Sequence, residues 1–238
     1  GQILTMSGDF PKRGAAMRDL GIIENGFISC IGDRIAEVGK IEQLDSKKVS
    51  AKTEIIDAKG KVVMPGIIDC HTHLVFAGNR ANEFGMRLAG KSYLEILEQG
   101  GGILSTVAST RGASKNHLFQ NAARHIRDMM QMGITTIEAK SGYGLNLDSE
   151  IKILSVFKEI AAKFPIRIVP TFLGAHAIPP EYKNRPGEYL EFLTNAVLPK
   201  IKGLAKFADI FCEKKVFSLK ERKKYLTAAK KAGFKLKI

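Results

Sequence analysis

Two textures of hydrophobic patterning meet near Pro65-Gly66. Before that point, short apolar runs alternate with turns: Gly21-Ile22-Ile23, then Phe27-Ile28-Ser29-Cys30-Ile31, and later Glu54-Ile55-Ile56-Asp57 ahead of Lys59-Gly60. Runs this short, bounded by turn residues, predict strands, and Asn25-Gly26 predicts a tight hairpin because both residues tolerate positive φ. Residues 1–63 are therefore expected to form a small β-sandwich-like module. After Pro65-Gly66, strands alternate with amphipathic helices, the pattern of parallel βα units. The strands are expected at 67–70, 134–140, 166–173, 208–212 and 234–238. Leu118, Phe119, Ala122, Ala123, Ile126, Met129 and Met130 make one helical stripe, and Ile151, Leu154, Phe157, Ile160 and Ala161 another. Ser218-Leu219-Lys220-Glu221 matches a capping box for a helix over 219–231, and Gly233 stands where it should stop.

Composition narrows the class. A chain of 238 residues, 45% hydrophobic, can bury one large or two modest cores. No apolar run approaches the roughly 18–20 residues of a membrane span and no secretory leader opens the chain, so a cytoplasmic protein with no membrane partner is expected. Cys30, Cys70 and Cys212 are odd in number, far apart and set in apolar segments, which predicts buried, reduced thiols. The formal net charge of +13 is concentrated late, with 13 Lys and Arg against 3 Asp and Glu over 200–238. Without interleaved aromatics that run reads as a solvated helix face, so no nucleic-acid partner is expected.

The candidate chemistry begins at His71-Thr72-His73, closing the apolar run from Val62 to Cys70. On a strand, alternation aims both imidazoles at one face, with α-carbons roughly 6.5–7 Å apart, close enough for two ring nitrogens to reach one metal ion. Five parallel strands with long crossovers fit either a doubly wound sheet or an incomplete (β/α)₈ barrel. Polar clusters recurring at strand ends favour the barrel: His71 and His73, Glu138 to Gly144, Gly174-Ala175-His176, and Cys212-Glu213. The small Gly174 and Ala175 are expected to let the chain turn after the third of these strands.

Pro65-Gly66-Ile67-Ile68-Asp69-Cys70-His71-Thr72-His73 resembles the first barrel strand of the metal-dependent amidohydrolases. Within that superfamily the chain resembles the imidazolonepropionases. The stretches that carry the likeness are His73-Leu74-Val75-Phe76-Ala77-Gly78-Asn79-Arg80, Gly100-Gly101-Gly102-Ile103-Leu104-Ser105-Thr106-Val107, Lys140-Ser141-Gly142-Tyr143-Gly144-Leu145, and Thr171 to Pro180 around Gly174-Ala175-His176-Ala177. The resemblance implies an amidohydrolase-type α/β barrel over residues 64–238, cut after about five strands, behind a module that is part of a composite β domain. It implies hydrolysis of the small molecule 4-imidazolone-5-propanoate to N-formimidoyl-L-glutamate, with one zinc or iron ion, and leaves a homodimer open. Carried over by position, His71 and His73 become metal ligands, and Arg80, Tyr143 and His176 substrate contacts. The acid/base residues and remaining ligands of that family would fall beyond Ile238. The chain opens without a start methionine and stops inside its fifth strand, so a part of a longer enzyme, inactive alone, is expected.

Other polar residues carry blander readings. His125 sits on the polar side of its helix and His117 near the start of that helix, and Lys140 is not placed among the ligands. Glu138 and Glu213 read as strand-end polar groups rather than acid/base catalysts. Gly100-Gly101-Gly102 lacks the lysine of a phosphate loop and reads as a turn close to a ligand. The rival readings are another cyclic-amidase or aminohydrolase of the same superfamily, and a basic nucleic-acid-binding module.

Overall fold

The computed structural model describes residues 1–92, 95–96, 101–213 and 216–237. Two compact units divide them, Gly1–Gly66 and Ile67–Ile238.

In the first unit, β1 (Gln2–Leu4) pairs antiparallel with β2 (Ile22–Glu24) and parallel with β5 (Val62–Val63), while β3 (Gly26–Ile31) and β4 (Arg34–Lys40) form a separate antiparallel pair. This corrects the reading of Asn25-Gly26. Asn25 does adopt φ +49°, but it joins strands that belong to different sheets, because β2 is committed to β1. The hairpin turn lies instead at Gly32-Asp33, where Gly32 supplies φ +62° between paired Ile31 and Arg34. Residues 54–57 form no strand either; Ile55 and Ile56 are 73% and 82% exposed, and the strand comes later, at Val62–Val63. Ile3 is the one hydrophobic side chain of this unit that is fully buried.

The second unit is α/β. Its five strands, β6 (Ile67–Thr72), β7 (Ile134–Lys140), β8 (Arg167–Ala175), β9 (Phe207–Ile210) and β10 (Lys235–Leu236), lie side by side in chain order, and every neighbouring pair is parallel. The helices are α1 (Ala81–Leu88), α2 (Ile103–Gly112), α3 (Lys115–Gln131), α4 (Leu147–Lys163), α5 (Pro186–Phe192) and α6 (Leu219–Lys231). Each long one has a readable start. The Ser114 hydroxyl accepts the His117 amide at 3.1 Å, the Asn146 side-chain Oδ1 accepts the Ser149 amide at 2.9 Å, and Ser218 and Glu221 complete a capping box. Leu118, Phe119, Ala122, Ala123 and Ile126 of α3 and Ile153, Leu154, Val156, Phe157 and Ile160 of α4 pack into one core with Ile137, Ala139, Phe172, Ala208 and Ile210 of the sheet. Burial of each large side chain there stabilises the unit by about 1.5–3 kcal/mol.

Two expectations shift. Gly174 and Ala175 are buried within β8 rather than turning the chain. A Cβ on Gly174 would meet the Phe172 ring at 2.3 Å, so the small residue serves close packing. Cys30 and Cys70 are exposed and Cys212 partly buried, all three as free thiols, because Cys30 sits in a two-stranded ribbon and Cys70 on β6, the outermost strand of its sheet. Gly102 takes φ +75° at the start of α2, its amide donating to Glu83 at 2.8 Å; Gly100, and Ile238 of the last expected strand, lie outside the described residues. Among the described residues no helix is long and apolar enough to cross a membrane. On α6, Lys220, Lys223, Lys224, Lys230 and Lys231 are exposed, and Lys224 pairs with Glu191 at 2.8 Å.

Candidate active site

The C-terminal ends of β6, β7 and β8 bring together residues more than a hundred positions apart. Thr72 ties the first of these ends to the second, its hydroxyl donating to the Glu138 carbonyl at 2.9 Å. His71 and His73 flank that tie, with ring centroids 5.8 Å apart. His73 is stacked on His176 at 4.5 Å with the planes only 8° apart, and lies 4.6 Å from the Tyr143 ring. Tyr143 and His176 are 5.5 Å apart. Four of the five residues expected at the site thus form one aromatic cluster. Arg80, exposed just ahead of α1, stands close enough for its charge to act on the Tyr143 phenol.

Burial sets the electrostatics of this cluster. It pushes His73 down to about 3, helped by His176, His71 and Lys140, while a backbone hydrogen bond with Ser141 pulls the other way. It lowers His176 too, against a bond to Gly142. It raises the Tyr143 phenol, which Arg80 opposes. The Gly142 carbonyl, 3.2 Å from His176 Nδ1, can only accept, so Nδ1 carries the proton and Nε2 is the nitrogen left for another partner. Nδ1 of His73 is buried with no hydrogen-bond partner. Such a group is costly unless something binds it. A pair of neighbouring imidazoles with one orphaned nitrogen fits a metal, as part of a ligand set: among the described residues no group of three or more His, Cys, Asp and Glu is placed to hold an ion.

Two further structures support the cluster. Beside it, Lys140 bonds Glu138 and Asp209, each at 2.7 Å, and Glu138 also accepts from Thr171 at 2.9 Å and Lys237 at 2.6 Å. Burial alone would raise the Glu138 carboxyl, but the bonds from Lys140, Lys237 and Thr171 outweigh it and hold the group below its ordinary range. Burial would lower the Lys140 ammonium, and its two carboxylates raise it instead. Glu138 is thus engaged in a polar network that joins β7, β8 and β9 to Lys237 just past β10, as its bland reading held. The second support is Glu150, fully buried in the first turn of α4, which accepts amides from the segment bearing Tyr143. Glu150 heads the apolar stripe of its helix, with Ile153, Leu154 and Phe157 three, four and seven residues on, and an acid on a core face signals waiting donors. Aromatic neighbours complete the rim: Phe76 lies edge-on to Tyr143 and stacked at 5.5 Å on His125, and Phe211 lies edge-on to His176. His125 is therefore half-buried against a ring rather than solvated on a polar face.

No protein-family model matches the chain. A curated imidazolonepropionase of Alkaliphilus metalliredigens (strain QYMF) is 46% identical over 240 residues, covering 100% of this chain and 57% of the relative. One of Bacillus cereus (strain G9842) is 50% identical over 241 residues, covering 100% and 56%, and one of Fusobacterium nucleatum subsp. nucleatum is 50% identical over 224 residues, covering 93% and 54%. The chain spans about half the length of the curated relatives it matches. Along its whole length, at close to half identity, the chain is thus similar to proteins that share one name, imidazolonepropionase.

Proposed function

We propose that the protein carrying this chain hydrolyses the cyclic amide of 4-imidazolone-5-propanoate to N-formimidoyl-L-glutamate, a step of histidine breakdown. The observation that carries the reading is the gathering of His71, His73, Tyr143 and His176 at the ends of parallel strands. Arg80 offers a two-pronged guanidinium to the propanoate carboxylate, and the Tyr143 hydroxyl offers a hydrogen bond. His176 presents Nε2 to the ring, oriented by the bond its Nδ1 gives to Gly142. His71 and His73 hold a zinc or iron ion, for which the orphaned Nδ1 of His73 speaks. A bound ion supplies Lewis acidity and brings the pKa of its water toward about 7. In the overall reaction the oxygen of water adds to the ring carbonyl carbon, the amide C–N bond breaks, and the nitrogen leaves with a proton.

The strict chain order of β6 to β10, with no reversal, supports an amidohydrolase-type (β/α)₈ barrel over 64–238 better than a doubly wound sheet, and residues 1–63 then belong to a composite β domain. Exposed free thiols at Cys30 and Cys70 suit the reducing cytoplasm. The test is turnover by the native protein on imidazolone propanoate, hydantoins, dihydroorotate and aminated purines, with metal analysis alongside. Preferred turnover of the first by a metal-loaded protein is the expected result; preference for any other, or full activity without metal, overturns it.

A further inference from the structure

Between the end of β7 at Lys140 and the start of α4 at Leu147, the chain makes two abrupt bends. Gly142 has φ +106°, where a Cβ would meet the Leu173 carbonyl oxygen at 2.4 Å, and Leu145 has φ +55° despite its side chain. The polar backbone groups of these bends are bound by the buried Glu150 and Tyr189 and the partly buried Arg111. Glu150 Oε2 accepts the Gly142 amide at 3.2 Å, and its Oε1 accepts the amides of Gly144 at 2.8 Å and Leu145 at 2.9 Å. Arg111 Nε donates to the Gly144 carbonyl at 2.7 Å, and the Tyr189 hydroxyl reaches the Leu145 carbonyl at 3.3 Å and the Gly174 carbonyl at 2.8 Å. Tyr143 is the residue enclosed by these ties, and its side chain faces His73 and His176.

We propose that Glu150 is the positioning residue of this site, acting through the backbone of residues 142–145 to fix Tyr143 and, through the Gly142 carbonyl, His176. The inference rests on the hydrolytic reading above, whose substrate contacts it orients. Only a carboxylate supplies what the loop requires. Its two oxygens accept three amides at once, in a place water does not reach. A glutamine of nearly the same shape would turn an NH₂ group toward one of those amides, donor against donor, and an aspartate would fall a methylene short.

The test uses Glu150→Gln in the native protein, with 3-fluorotyrosine incorporated at Tyr143 and read by fluorine NMR without substrate. In the variant the resonance should shift and broaden as the loop samples further conformers. The variant should stay folded with its metal content unchanged, and kcat/KM should fall by roughly 10²-fold, the scale of an ångström misplacement of a catalytic contact. An unshifted resonance and unchanged kinetic constants, with only the melting temperature lowered, would make Glu150 a structural residue and overturn the proposal. A wild-type protein that ignores imidazolone propanoate would sink the hydrolytic reading while the fluorine signal still decides for or against Glu150. If the variant does not fold, hydrogen exchange of the wild type decides: the amides of Gly142, Gly144 and Leu145 should exchange as slowly as those of β7, and exchange at open-loop rates overturns the assignment.

Discussion

At the end of β6 the chemistry is carried by side chains with few ties; at the end of β7 it is carried by a backbone that buried side chains hold. β6 is the outermost strand of its sheet, Ile67 and Ile68 are exposed, and its pairing with β7 slips in register between Asp69 and Thr72. His71 is exposed, its amide bonded at 3.2 Å to the nearby Asp69 side chain. At the β7 end, Lys140 to Leu145 are buried except for Tyr143, which is half-buried, and their polar groups meet partners from α2, α4, α5, β8 and β9. The difference separates two demands. A metal, when bound, can itself order loosely held ligands, because binding energy and ordering energy are coupled. A neutral substrate ring supplies far less, so its contacts must be set beforehand.

The largest effect should come from the loosely held end. His71→Ala and His73→Ala in the native protein are each expected to lower metal content and turnover together, by more than the roughly 10–100-fold that losing an outer hydrogen-bond partner of a ligand costs. Full metal and full rate in either variant, by elemental analysis and kinetics, would erase the contrast. Next is the charge network beside the tightly held end. Lys140→Met leaves Glu138 and Asp209 without their shared cation and should cost about 3–5 kcal/mol of stability in chemical denaturation. The sign of its pH dependence follows from the shifts. The depressed Glu138 contributes stability above its unfolded pKa, lost as pH falls through the lower folded value. The raised Lys140 contributes below its unfolded pKa, lost as pH rises through the higher folded value. Stability should therefore be flat at neutral pH and fall at both extremes, and the variant should lose the alkaline slope and keep a shallower acid one, since Lys237 and Thr171 still bond Glu138.

His176→Ala should keep its metal and lose roughly 10²-fold in turnover, the scale of losing one oriented contact to the reacting ring. Loss of metal as well would place His176 among the ligands and move it to the other side of the comparison. Smallest is Arg80→Lys, expected to raise KM by about 10-fold with metal unchanged, since a point charge replaces a planar fork. An unaltered KM would leave Arg80 as an ordinary loop residue.

The loosely held end was the legible one. His71-Thr72-His73 closes an apolar run, and strand periodicity alone brings the two rings to one side. The helical stripes of α3 and α4 and the capping box of α6 were equally open to reading, because each is a local pattern that tertiary contacts reinforce. Asn25-Gly26 misled because a turn-forming pair specifies a bend and not which strands it joins; the pairing of β2 with β1 decided that from twenty residues away. Glu54 to Asp57 looked like a strand by composition, and no neighbouring strand pairs with it. Asp209 was unreadable for a different reason: its role lies in the donor contributed by Lys140, which no spacing along the chain announces, and for Glu150 the apolar stripe of α4 announces donors without naming Gly142 to Leu145.

The parallel arrangement of β6 and β7 also bears on the order in which the molecule comes together. Thr72 and Glu138, joined by a hydrogen bond, are 66 residues apart, and a parallel pair has no short connection. Closing so large a loop is entropically costly before any contact rewards it, whereas α3, α4 and the β7–β8 unit form over shorter separations. Docking of the strand that carries His71 and His73 is therefore expected late on the folding pathway, with substitutions at Thr72 speeding unfolding while leaving the folding rate nearly unchanged in stopped-flow measurements. A pathway in this order keeps the imidazoles apart from the rest of the pocket until the scaffold that receives them is complete.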